Sequence, residues 1–302
     1  MTVQELIEKL QTLNPNAEVV IEENHGEYYP VQEDRFYEEM ITDDYYYASE
    51  EDKSFQEQSM LSVLYVQTST EFAANNIQTF NNASKALDIA LQDSTWTAAL
   101  EQKGNFASKI PAIIVDVDET VLDNSSFQSR TILSGLSYPN GWAKWVNESK
   151  ATAVEGVYEF LHYANDNNVK IFYVTNRLES FREPTIKNLK KLGLPFDDNA
   201  NTLLMRVDEN VRDKTERRKN IAENYRIVLL LGDQLTDFIS TKEAYVFHSD
   251  RKKLAKKYSD MWGSKWFMIT NPTYGRWELS IYDEMPKSED EAIQKRKETL
   301  NP

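Results

Sequence analysis

Residues 112–123 read Ala-Ile-Ile-Val-Asp-Val-Asp-Glu-Thr-Val-Leu-Asp, an apolar run that ends in two carboxylates one residue apart, Asp116 and Asp118. The run has the length and composition of a buried strand, and such strands are normally apolar because an unpaired ionised carboxylate in a core is very costly. Two carboxylates at its C-terminal end point to a metal ion or to a reaction that uses them, and this end of an open α/β sheet is where ligands bind. Alone, the segment also reads as a strand followed by an acidic loop. Three later segments weigh against that. Tyr173-Val174-Thr175-Asn176-Arg177 closes another apolar run; its hydroxyl and amide can donate hydrogen bonds to phosphate oxygens, although Thr-Asn is also ordinary turn chemistry. Lys214, in Arg212-Asp213-Lys214-Thr215-Glu216-Arg217-Arg218, could neutralise a phosphoryl group and its attacker, or be a solvated lysine at a charged helix start. Gly232-Asp233-Gln234-Leu235-Thr236-Asp237-Phe238 puts two more carboxylates after a third apolar run. Hard cations such as Mg2+ take carboxylate oxygens and keep several waters, so Asp233 could be a direct ligand and Asp237 could bind through water or orient the others. Gly232 lets the backbone come close to that site.

The elements that must position these residues follow from periodicity. Strands are predicted at 113–117, 171–175, 203–206, 227–232 and 266–269, with helical patterns between them such as Val157, Phe160, Leu161 and Ala164. Apolar strands separated by helices imply a parallel α/β sheet with helices on both faces. Two amphipathic helices are predicted between Phe55 and Leu91, one lined by Met60, Leu61, Leu64 and Phe72, the next by Ile77, Phe80, Ala83, Leu87 and Leu91. A charged surface helix is predicted at 288–300. Residues 1–54 read as an N-terminal extension with a short helix, a strand at 18–22 and an acidic, Tyr-rich linker. The 58 residues between Asp116 and Thr175 exceed what one crossover helix needs, so an insertion at about 124–165, with the helices of 55–100, is expected to form a small, mainly helical cap on a catalytic core of about 110–285.

Composition narrows the function. A length of 302 residues allows one large domain or a main domain with an attachment. The net charge of −15 argues against nucleic acid or an anionic membrane surface as partner. There is no cysteine, which excludes disulfides, thiolate metal sites, a cysteine nucleophile and lipid attachment through cysteine. The start, Met-Thr-Val-Gln-Glu-Leu, is not that of a signal peptide, so the chain as written reads either as cytoplasmic or as the processed form of an exported protein. No segment reaches the apolar length of a membrane helix.

The order acid-x-acid, Thr-Asn, Lys, Gly-Asp-x-x-x-Asp, each after a strand, resembles the haloacid dehalogenase (HAD) superfamily of phosphohydrolases. Asp116 to Ser125 with Gly232 to Phe238 resemble the paired signatures of the class C bacterial acid phosphatases, the lipoprotein nucleotidase group. Asn271-Pro272-Thr273-Tyr274-Gly275-Arg276-Trp277-Glu278 resembles that family's Asn-Pro-x-Tyr-Gly-x-Trp-Glu segment, and Trp142-Ala143-Lys144-Trp145 its Trp pair. The resemblance covers about 55–283. It departs at Phe127, where the family usually has Tyr, and at Gln234, usually Asn or Thr there. Members are typically exported and anchored by lipid.

The resemblance implies a HAD-like Rossmannoid fold and a Mg2+-dependent acid phosphatase. Asp116 is then the nucleophile that forms an aspartyl phosphate, and Asp118 the acid that protonates the leaving oxygen and later deprotonates water. Asp116, Asp118 through its backbone carbonyl, Asp233 and, in support, Asp237 hold the metal, while Thr175, Asn176 and Lys214 hold the phosphoryl oxygens. Phe127, Trp142 and Tyr274 are candidates to stack a nucleobase or another aromatic leaving group, or they are core of the cap. A nucleoside monophosphate substrate and a homodimer are the family's suggestions. Two alternatives stand beside this one: a phosphotransferase of the same superfamily, and a non-catalytic binding or assembly protein using the same fold.

Overall fold

Ala112, Ile113, Ile114 and Val115 are buried because the strand they form, β1 (Pro111–Val115), is the middle one of five. The computed structural model describes residues 55–302 apart from Asn199 and Asp283, and the elements expected in residues 1–54 lie outside the described residues. The further strands are β2 (Leu122–Asp123), β3 (Thr152–Ala153), β4 (Lys170–Leu178), β5 (Leu203–Arg206), β6 (Arg226–Gly232) and β7 (Trp266–Met268). The main sheet runs β5-β4-β1-β6-β7 and all its pairs are parallel; β2 and β3 form a separate antiparallel pair. Ile113 stands opposite Ile171 of β4 and Leu229 of β6. From β1 the chain passes to β4 and β5 on one side, then crosses to β6 and β7 on the other. The order therefore reverses at β1, and the crevice at such a reversal is where α/β sheets bind ligands.

The helices are α1 (Met60–Thr68), α2 (Thr70–Gln92), α3 (Ser125–Ser134), α4 (Trp142–Glu148), α5 (Val157–Asp166), α6 (Arg182–Lys191), α7 (Thr215–Asn224), α8 (Thr241–Ala244), α9 (His248–Lys257), α10 (Arg276–Leu279) and α11 (Glu289–Thr299). Side chains alternate along a strand, so β1 feeds two cores. Ile113 and Val115 join Phe80, Leu87, Phe160, Leu161 and Leu189 on one side, and Ala112 and Ile114 join Phe172, Ile221, Phe238 and Trp266 on the other. Each fully buried aliphatic or aromatic side chain of this kind contributes about 1.5–3 kcal/mol.

The five strands expected between 113 and 269 form, with ends displaced by up to three residues, and the predicted helix at 288–300 is α11. α5 buries Val157, Phe160, Leu161 and Ala164 as expected. In α2 the expected stripe is buried at Phe80, Ala83 and Leu87, while Ile77 is exposed. α1 corrects its expected face: Met60, Leu61 and Leu64 are exposed and Val63 is buried. The segment Met-Leu-Ser-Val-Leu-Tyr-Val is apolar nearly all round, so it carries no stripe from which an inward face could be read. The described chain divides into two compact units, one of residues 55–60 and 129–141, the other of 61–128 and 142–302. No described helix is long and apolar enough to cross a membrane.

Candidate active site

β1 ends one residue before Asp116, whose backbone N–H still donates to the Leu231 carbonyl of β6 at 3.0 Å. That last sheet bond fixes the Asp116 carboxylate at the reversal point. Lys214, the residue at the start of α7, lies across the strand ends with its side chain 4% exposed. Its ammonium donates to Asp116 Oδ1 and to Asp237 Oδ1, the latter at 2.6 Å. Asp116 Oδ2 accepts no hydrogen bond from a described residue, so this oxygen is open to a ligand. Lys214 is anchored from behind by Asp213, which accepts from the Thr215 N–H at 2.7 Å and from the Thr241 N–H and hydroxyl at 2.8 and 2.6 Å.

After β6, Gly232 turns the chain toward the same point. A Cβ at 232 would lie 2.4 Å from Asp237 Oδ2, so no other residue leaves room for Asp237 there. The Gln234 N–H donates to Asp237 Oδ2 at 2.8 Å, closing a single helical turn over 235–237. Asp233 Oδ2 accepts from the amides of Gln234 and Asn271, each at 2.8 Å, while its Oδ1 accepts none from described residues. Gln234 also accepts the Arg276 N–H at 3.1 Å. Gly275 permits this: its φ is +142°, and a Cβ there would lie 2.4 Å from the Gln234 amide nitrogen.

One oxygen from each of Asp116, Asp233 and Asp237 lies within 4.8 Å of the others. These three carboxylates face one ammonium, an excess of two negative charges, which is the charge of one divalent cation. Burial first, and then Asp237 and Asp118, push the Asp116 carboxyl up to about 7 against the pull of Lys214. Burial, Asp116 and Asp237 push Asp233 well above the usual carboxylate range. Lys214 stays above its ordinary value because its two aspartates outweigh the effect of burial. An all-oxygen donor set of three clustered carboxylates fits a hard divalent cation, so the residues present could hold one.

Asp118 is not part of that trio. Its carboxylate is gripped by Arg177, through Nη2 to Oδ1 at 2.8 Å and through Nε to Oδ1 and Oδ2 at 3.0 and 3.2 Å. Asn124 donates to Oδ1 at 2.9 Å and the Thr175 hydroxyl lies 3.3 Å from Oδ2. Thr175 and Asn176 lie within β4, which runs three residues past its expected end at Thr175, and both are also engaged by Arg217, which donates to the Thr175 carbonyl and, at 2.6 Å, to the Asn176 side-chain oxygen. The Asn176 amide nitrogen donates to no described residue. Burial holds the Arg217 guanidinium below its ordinary range.

Phe127 corrects its role as a stacking platform. It is 2% exposed within the larger core and meets the Trp142 ring edge to face at 5.1 Å. Trp142 in turn covers the Arg177 guanidinium at 5.4 Å. Tyr274 is partly exposed and lies three residues beyond Asn271.

Sequence reasoning passed over Arg177, Arg217, Asn124, Asn271 and Glu119. A period of two places Thr175 and Arg177 on one face of an extended β4, so Arg177 was findable. Glu119 adopts φ +58° and accepts the Asn124 N–H at 3.0 Å, while its other oxygen is buried without a partner. Burial, then Asp118 and Asp233, raise its carboxyl well above the usual range.

Comparisons with known proteins agree with this arrangement. The family model for HAD superfamily, subfamily IIIB (Acid phosphatase) matches residues 38–277, beginning before residue 55. The chain resembles the class C acid phosphatase from Bacillus anthracis, with 33% identity and a TM-score of 0.73 over 82% of this chain and 98% of that one. A second structure of that enzyme, with tungstate bound, has the same identity and TM-score over 83% and 99% of the two chains. "Acid phosphatase 1" of Solanum lycopersicum is 29% identical over 142 residues, which is 44% of this chain, and the match spans 53% of the length of that relative.

Proposed function

The chain belongs to subfamily IIIB of the HAD superfamily, the acid phosphatases, and from that premise we propose that it hydrolyses small phosphomonoesters through an aspartyl phosphate on Asp116. The observation that carries this reading is the open Asp116 Oδ2 beside Lys214 at the C-terminal end of β1. In the first step Oδ2 attacks phosphorus, and the bond to the leaving oxygen breaks as Asp118 donates its proton to that oxygen. In the second, Asp118 takes a proton from water as the water oxygen attacks phosphorus and the Asp116 carboxylate is released. Lys214, the Thr175 hydroxyl and the Asn176 amide hold the phosphoryl oxygens, so most of the rate comes from positioning and charge stabilisation. A tungstate, a tetrahedral oxyanion shaped like phosphate, is bound to the Bacillus anthracis relative, which supports an oxyanion ligand for this fold.

Mg2+ is the proposed metal. Asp116, Asp233 and the Asp118 backbone carbonyl would hold it, with Asp237 in support, and when bound it would offset repulsion between the anionic nucleophile and the phosphate. Among substrates, a nucleoside monophosphate is favoured, with the partly exposed Tyr274, whose backbone N–H lies 3.5 Å from the Asn271 side-chain oxygen, as the ring to receive a base. The test is hydrolysis of p-nitrophenyl phosphate with Mg2+ and with EDTA, by the wild type and by Asp116→Asn. Turnover that needs the metal and disappears in the variant supports the reading. A wild type inactive under every condition would sink it.

A further inference from the structure

We infer that Arg177 is a positioning residue that decides which oxygen of Asp118 carries the proton to the leaving group. The inference rests on the proposed role of Asp118 as acid. Its warrant is the distribution of donors. Asp118 Oδ1 accepts from Arg177 Nη2, Arg177 Nε and Asn124 Nδ2, at 2.8, 3.0 and 2.9 Å. A carboxylate oxygen has two lone-pair directions, and Arg177 Nη2 and Asn124 Nδ2 fill both of those on Oδ1, while the one Nε hydrogen is shared with Oδ2. Oδ2 meets only the far reach of Arg177 Nε at 3.2 Å and the Thr175 hydroxyl at 3.3 Å. A hydroxyl rotates, so Thr175 can accept from a protonated Oδ2 and donate to an ionised one.

The guanidinium is itself held from every side. Its Nη1 donates to the Thr185 hydroxyl at 3.1 Å, and its Nη2 also reaches the Asn124 side-chain oxygen at 3.4 Å. That Asn124 oxygen accepts the Trp145 indole N–H at 2.8 Å, and Trp142 covers the guanidinium face. Arg177 is only 4% exposed. A planar fork fixed in this way sets the carboxylate plane of Asp118, which an ammonium cannot do. When the Oδ2–H bond breaks, its electron pair stays on Asp118, the proton bonds to the leaving oxygen, and Arg177 faces the charge that appears. Thr175 sits between both tasks, touching Asp118 while its carbonyl is tied to Arg217.

The reading makes a demand that a structural arginine would not meet. A proton donor matters for an alkoxide leaving group and little for p-nitrophenolate, which departs unaided. The experiment measures kcat and KM of the wild type, Asp118→Asn, Arg177→Met and Arg177→Lys on p-nitrophenyl phosphate and on glycerol 3-phosphate, with thermal melts of each protein. General acid catalysis is worth roughly 100-fold or more. Arg177→Met is therefore expected to lose about that factor in kcat on glycerol 3-phosphate and less than about tenfold on p-nitrophenyl phosphate, with Arg177→Lys showing the same selectivity. Equal losses on both substrates in the Arg177 variants, while Asp118→Asn remains selective, would overturn the inference alone. An Asp118→Asn variant with no selectivity would instead overturn the role of Asp118, and the inference with it. If Arg177→Met does not fold, Arg177→Lys carries the same comparison.

Discussion

Gly232 and Asp237 occupy the same space: a Cβ on residue 232 would lie within 2.4 Å of Asp237 Cβ and Oδ2. The contact is with the root of a side chain whose two oxygens are held by Lys214 and the Gln234 N–H, so it cannot swing away cheaply. Gly232→Ala is expected to cost roughly 1–3 kcal/mol of stability, the usual range for overpacking. It should also weaken divalent-cation binding by displacing a carboxylate of the trio. Denaturant melts and calorimetric titration with Mg2+ check both effects; a variant with native metal affinity would show that Asp237 is not needed there.

Asp116 gives a pH dependence with a definite sign. Its carboxyl is pushed from 3.8 to about 7 by burial and its acidic neighbours, against Lys214. Between those values the metal-free folded chain binds a proton that the unfolded chain has lost. The stability it contributes is full below about 4 and is lost as pH rises through about 7. Melts in EDTA should therefore show stability falling across that window, with a shallower fall in Asp116→Asn. Cation binding expels the same proton, so Mg2+ affinity should rise with pH over the same range.

Asp213 acts in the opposite direction. Burial works to raise its carboxyl, but the hydroxyls and N–H groups of Thr215 and Thr241 overcome this and hold it at about 2. Its contribution is present above about 4 and fades as pH falls through about 2. Asp213→Ala leaves the Thr215 N–H and the Thr241 N–H and hydroxyl without their acceptor and is expected to cost roughly 1–3 kcal/mol at neutral pH. Because Asp213 precedes Lys214, kcat should fall as well. A variant as stable as the wild type would show that α7 is positioned by other contacts.

Of the three aromatic candidates, Phe127 and Tyr274 are expected to respond in opposite ways. Phe127→Ala opens a cavity in the core and should cost about 3–5 kcal/mol. Tyr274→Ala should leave stability nearly unchanged and raise KM for a nucleoside monophosphate more than for glycerol 3-phosphate. Steady-state kinetics on the two substrates, beside melts, decide the matter; equal changes in KM would remove Tyr274 as a base platform.

Much of this site was legible because acidic residues at the ends of apolar runs are chemically conspicuous. Asp116, Asp233 and Asp237 announce themselves by following apolar runs, whereas Lys214, inside a charged run, gained meaning only from its place between those motifs. The five parallel strands were legible for the matching reason, since β1 and β6 are apolar on both faces. Arg177 was harder: its neighbours already supplied Thr175 and Asn176, and an arginine after a strand end is unremarkable until its partner is known. Asn124, Asn271 and Glu119 sit in turns where such residues occur for local reasons. Phe127 illustrates the remaining gap. A ring near a site in sequence can serve the core or the ligand, and only packing distinguishes them. The exposed face of α1 has the same origin, because a helix apolar on all sides does not say which side faces inward.

The sheet order β5-β4-β1-β6-β7 has a consequence for how the site comes into being. Asp116 meets Lys214 across 98 residues of chain, and Asp118 meets Arg177 across 59. Every loop-closure entropy must be met before either contact returns free energy. β1 with β4 alone pairs Asp118 with Arg177 but leaves Asp116 without Asp233 and Asp237, so a half-formed sheet holds only part of the site. Catalytic competence is therefore a late product of folding, and recovered turnover during refolding reports on the whole sheet rather than on the strand that bears the nucleophile.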